Sequence, residues 1–160
     1  STPFVEPYDH FTFSKYLSRH VFNEFEDKVY YGIPFYVYSE FSKKGLFRYL
    51  KNNMNKNRPI EINSSKNLLD WIHAKDVAMA FMTHYLKKCS TKKFNVTSGQ
   101  ILSIEDLISR ASKNIEQQFI FNQKSVINSF LGKSNSLTQI SWEPSYNVID
   151  WLSFYLSHDN

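Results

Sequence analysis

Glycine is scarce in this sequence: the 160 residues hold four, at Gly32, Gly45, Gly99 and Gly132. No two are close enough for the G-x-G-x-x-G or G-x-x-x-x-G-K turns whose backbone amides cradle nucleotide phosphates. The chain therefore carries no phosphate loop of its own. Cysteine is scarcer still. Cys89 stands alone, which excludes an internal disulfide and a cysteine-rich metal site and fits a reducing compartment. Long apolar runs are missing too: none approaches the ~20 residues of a membrane-crossing helix, and Ser1 opens no basic-then-apolar targeting segment. A soluble, cytoplasmic protein without a membrane partner is expected.

What is present suffices for a packed core. The 42% hydrophobic and 17% aromatic shares exclude wholesale disorder, and the length suits one domain. The 19 basic and 15 acidic residues leave a formal charge of +4, a modest surplus that matters where it is concentrated. Lys43, Lys44, Arg48, Lys51, Lys56 and Arg58 stand between Glu40 and Glu61 with no acid among them. A solvated helix face is the plain reading of this stretch. A phosphate contact through Arg48 or Lys51, or nucleic-acid binding by residues 43–58 with Phe47 and Tyr49, are the functional ones.

Periodicity divides the chain into short, mixed elements. Phe13, Leu17, Val21 and Phe25 recur every four residues and predict an amphipathic helix, with Asp9 as its N-cap. Residues 28–38, rich in β-branched and aromatic types, predict a strand that Gly32 and Pro34 break. A polar helix over 42–56 follows, then short strands at 59–63 and 68–73. Residues 75–88 predict a helix with Val77, Ala80, Phe81 and Tyr85 on one face. A strand at 93–97 stops at Ser98 and Gly99, and Ser103, with Asp106 three residues on, marks the next helix start. Residues 117–121 read as a strand, 134–139 as a short helix, and 146–156 as a terminal helix presenting Val148, Trp151, Leu152 and Tyr155. The class is α/β, without internal repeats.

Four strings, in order, carry a resemblance. Phe11-Thr-Phe-Ser-Lys15 is similar to a Tyr-x-x-Ser-Lys helix with phenylalanine in the tyrosine position. Pro34-Phe-Tyr-Val-Tyr38 is similar to Arg-x-Phe-Asn-Val-Tyr-Gly-Pro, and Leu69-Asp-Trp-Ile-His-Ala-Lys-Asp-Val-Ala78 to Arg-Asp-Phe-Ile-His-Val-x-Asp-Val-Ala. Phe94-Asn-Val-Thr-Ser-Gly99, with Ser103-Ile104 and Ser141-Trp-Glu-Pro144, is similar to Tyr-Asn-Val-Gly-Ser-Gly, a valine-serine helix start and Gly-Trp-x-Pro. In this order and spacing they resemble the extended short-chain dehydrogenase/reductase family, the NAD(P)-dependent epimerases, dehydratases and reductases of nucleotide sugars.

The resemblance implies an α/β fold and the C-terminal, substrate-side portion of such an enzyme. Residues 1–40 would end its Rossmann part, with a remnant of the catalytic helix, and residues 41–160 would form mainly the substrate-binding part. NAD or NADP is the implied cofactor, not held by this chain alone; a nucleotide sugar is the implied substrate, and a missing Rossmann half or a homodimer partner is implied beside it. Lys15 would be the catalytic remnant and, with Phe35 and Tyr36, lie nearest the nicotinamide. Tyr36, Tyr38, Arg48 and Leu69 would line the sugar-nucleotide side. Two departures remove chemistry. Phe11 has no proton to exchange, and Leu69 replaces an arginine that clamps the diphosphate in the family. No arginine follows Arg110; Lys124 and Lys133 read either as point charges serving there or, more plainly, as exposed lysines. Asp70, His73 and Asp76 read as architecture, and an incomplete domain is expected to leave a sheet edge exposed.

Overall fold

The computed structural model describes residues 10–25, 28–54, 56, 58–123, 129–130 and 135–158; Asp9, Lys124 and Lys133 lie outside them. In chain order the elements are α1 (His10–Glu24), β1 (Tyr31–Pro34), β2 (Tyr36–Tyr38), α2 (Leu46–Asn53), β3 (Ile60–Asn63), β4 (Leu68–His73) and α3 (Ala74–Leu86). These are followed by β5 (Lys93–Val96), β6 (Ile101–Ser103), α4 (Ile104–Ala111), β7 (Phe119–Asn122), β8 (Ser129–Phe130), α5 (Asn135–Gln139) and α6 (Val148–Ser157).

The broken strand is real, and the bend falls at Phe35, just past Pro34. Its two halves enter different sheets. β1 runs parallel to β5 (Gly32 opposite Phe94), whereas β2 runs parallel to β4 (Val37 opposite Ile72). β4 also pairs with β6, antiparallel, and with β8, parallel, while β3 and β7 form a separate parallel pair. The short strands β6 and β8 carry no sequence signal beyond a few apolar residues.

Strand periodicity sets the two cores. Leu69 and Trp71 of β4 point into the larger one, with Tyr38, Leu50, Leu107, Ile108 and Leu152. Ile72 points into the smaller one, with Ala80, Phe94, Val96 and Leu137. Ser103 caps α4 as expected, its hydroxyl accepting from the Asp106 N–H at 2.9 Å. α2 starts later than its polar pattern suggested. Gly45 immediately before it has φ +93°, a left-handed value that no helix interior adopts.

On α3 the inward face is Val77, Ala80, Phe81 and His84, whereas Tyr85 is 66% exposed. The spacing i, i+3, i+4, i+7 reaches 84, and that ring lies flat on Phe94 at 3.9 Å between centroids. Phe81 closes over Gly32, where an added Cβ would sit 2.3 Å from the ring. Gly32→Ala is expected to cost about 1–3 kcal/mol by forcing the ring aside, measured by urea denaturation; unchanged stability would refute this packing.

His84 is fully buried, and neither ring nitrogen has a hydrogen-bond partner among the described residues. Burial, aided by nearby Lys92, holds its pKa below the usual 6.5. The unfolded chain therefore takes up this proton at higher pH than the folded one, so stability is full above the ordinary histidine value and declines as pH falls below it. His84→Phe is expected to keep neutral-pH stability within about 1 kcal/mol and to flatten the decline on acidification. Denaturation curves at neutral and mildly acidic pH check this; an unchanged decline would show that another group causes it.

The expected stripe on α1 forms but is not covered. Phe13 and Leu17 are each 46% exposed, Val21 59% and Phe25 49%, while Phe22 is buried against Tyr31. Leu17, Val21, Phe22 and Phe25 line an open apolar groove with Val29 and Tyr31. Beside it, β1 has β5 as its one partner among the described strands.

Candidate functional site

The bend at Phe35 and the delayed start of α2 leave a cleft of about 240 Å³ between β2 and the first turn of α2. Phe35, Tyr36, Tyr38, Lys44, Gly45 and Phe47 are among the residues lining it. Gly45 is the N-cap and supplies no side chain to the first amides of α2, so that end of the helix keeps its positive potential. Lys44 adds a charge next to it.

Both tyrosines of β2 are held protonated. Burial pushes the Tyr36 hydroxyl up, partly opposed by a hydrogen bond from the Leu46 backbone. The Tyr38 pKa is also raised, by burial first and then by Asp76 and Tyr146. Its ring packs edge-on against Phe47 and His73, and its hydroxyl has no partner among the described residues. Neither group takes a proton near neutrality. The cleft offers donors, an aromatic wall and one cation, which is binding chemistry.

Polar groups around β4 hold this geometry. The buried Asp70 carboxylate accepts from the Ser98 N–H at 2.8 Å, the Ser98 hydroxyl at 3.1 Å and the Gly99 N–H at 3.3 Å. Asp76 accepts from the backbone N–H groups of Ser145 and Tyr146 at 2.9 and 3.1 Å, joining the α3 start to the segment before α6. Gln100 completes that junction, donating to the Tyr146 carbonyl at 2.6 Å and accepting from the Val148 N–H at 2.7 Å.

No protein-family model matches the chain, and no curated protein matches it by sequence. Solved structures do match. The RMD protein of Pseudomonas aeruginosa, solved with NADPH, superposes with a TM-score of 0.77 at 17% identity, over 98% of this chain and 58% of its own. dTDP-glucose 4,6-dehydratase of Bacillus anthracis, in complex with NAD, gives 0.77 at 13% identity, over 98% and 53%. UDP-glucose 4-epimerase of Thermotoga maritima, with UDP-glucose, gives 0.66 at 15% identity, over 91% and 52%. The chain shares the α/β fold of these extended short-chain dehydrogenase/reductase structures, over about half of each. The chain spans little more than half the length of these structures.

Within that fold, Phe35, Tyr36 and Tyr38 come together at one cleft. The other expected residues lie elsewhere. Lys15 is on the exposed part of α1, Arg48 is exposed on α2 outside the cleft lining, and Leu69 is buried in the larger core. Lys51 donates to the carbonyls of Tyr155, at 3.0 Å, and His158. It caps the C-terminal end of α6, where a cation suits the helix dipole, so one of the six clustered cations is already used inside the fold. The described residues offer no cradle for a dinucleotide pyrophosphate: the glycine opening a helix, Gly45, follows a polar turn and belongs to no glycine-rich series.

Sequence reasoning named Lys44 only as one of six clustered cations and gave no role to Glu40 or Gln100. Glu40 left a signal, being the one acid between Asp27 and Glu61; Gln100 left none. Tyr38→Phe removes a buried, unpartnered hydroxyl and is expected to change stability by less than about 1 kcal/mol or to raise it. A loss of several kcal/mol in chemical denaturation would reveal a partner for that oxygen.

Proposed function

We propose that the chain is the substrate-side portion of an NAD(P)-dependent nucleotide-sugar epimerase, dehydratase or reductase, with the β2–α2 cleft receiving the nucleotide sugar. The observation that carries this reading is a formed cleft beside an unfilled side: α1 presents its apolar stripe, and β1 an edge unpaired among the described residues, next to a packed body. A dinucleotide-binding half docked there supplies the phosphate turn that the four glycines do not make. Lys44 and the uncapped α2 terminus favour a diphosphate electrostatically, in place of the guanidinium missing at Leu69.

Oxidation of a sugar hydroxyl needs a positioned base, typically worth ~10²- to 10⁴-fold in rate. Phe11 supplies none, and the two cleft tyrosines stay protonated. Leu69 is committed to packing. These features support a chain that binds without turning over, either as an eroded catalyst or as a non-catalytic nucleotide-sugar-binding protein. Calorimetric titration tests the reading: UDP-glucose is expected to give saturable binding and NAD none. Micromolar NAD affinity in this chain alone, or no binding of UDP-glucose, would contradict it.

A further inference from the structure

The rim of the cleft is the loop 39–45, which contributes Ser42, Lys44 and Gly45. Its own hydrogen bonds are local: the Ser42 N–H donates to the Ser39 carbonyl at 3.3 Å, and the two serine hydroxyls meet at 3.3 Å. Neither ties the loop to the body. Glu40 does. Nδ1 of His73 accepts the Lys75 N–H at 3.2 Å, so in the neutral ring the proton sits on Nε2. That atom lies 3.2 Å from Oε2 of Glu40 and donates to it. Lys75 Nζ stands 3.7 Å from the other carboxylate oxygen.

The two partners differ in rigidity. His73 is 1% exposed and stacks on Tyr146 at 4.0 Å between centroids, so its N–H is a fixed point. Lys75 is exposed and screened, and contributes little on its own. Hydrogen bonds to the charged form, from the Glu40 backbone first and then from His73, keep the Glu40 pKa below its usual value.

We propose that Glu40 is a positioning residue, a latch that fixes the rim of the cleft against the junction of β4 and α3 and so sets ligand affinity without touching the ligand. The affinity consequence rests on the reading of the cleft as a nucleotide-sugar site; the loop consequence does not. Two measurements on the full chain separate them. In Glu40→Ala, amide hydrogen exchange is expected to speed up in residues 41–46 but not in β4 or α6, and UDP-glucose affinity to fall about tenfold, the scale of one charge-assisted hydrogen bond. Glu40→Gln still accepts from Nε2 of His73 and is expected to recover most of both. Unchanged exchange at 41–46, or exchange accelerated equally throughout the fold, overturns the latch whatever the ligand does. Local acceleration with undiminished affinity overturns its role in binding. Local acceleration in a chain whose wild type binds no UDP-glucose supports the latch and counts against the nucleotide-sugar reading alone.

Discussion

Burial of β4 on both faces is the constraint from which the rest follows. From Leu69 to His73 every residue is buried, and a strand in that position must place apolar side chains in two directions while satisfying each polar one internally. Leu69 and Trp71 serve one core and Ile72 the other. Asp70 and His73, buried with them, find their partners on other segments. Asp70 fixes the turn at Ser98 and Gly99, and His73 fixes the cleft rim through Glu40. The requirement to pair two buried polar groups thus organises the segments that surround the cleft.

The β1–β5 pair lacks such closure among the described residues. Parallel sheets are ordinarily covered on both faces and built from several strands, yet β1 and β5 pair only with each other among the described strands. Tyr31 donates its N–H to Lys92, so by the alternation of a parallel ladder Gly32 directs its backbone groups to the free edge. Pro34, next in that direction, has no N–H to offer, which limits where a further strand can pair. Leu17 and Val21 of α1 and Phe25 just after it, all about half exposed, line an apolar groove with Tyr31 of β1.

Much of this was legible in the sequence because local patterns and local structure agreed. The break in the 28–38 strand, the Ser103 cap, the short strands at 60 and 68 and the terminal helix all follow from propensity and period. The disagreements have physical causes. His84 displaces Tyr85 from the inner face of α3 because it alone meets the flat of Phe94. The stripe on α1 looks like a core face by period, but period cannot say whether a partner covers it. Phe35, Tyr36 and Tyr38 line one cleft because they follow one another along the bent strand, which local sequence pattern can show. Lys51 and Leu69 instead show a capping and a packing role that depends on contacts distant in sequence.

The central claim is that the edge of β1 is open, and one backbone amide reports on it. In native-state hydrogen exchange of this chain, the Gly32 N–H is predicted to exchange far faster than the Tyr31 N–H, which is bonded to Lys92. Equal, strong protection of both amides would mean that the edge is already covered, and would contradict the account of an open β1 edge.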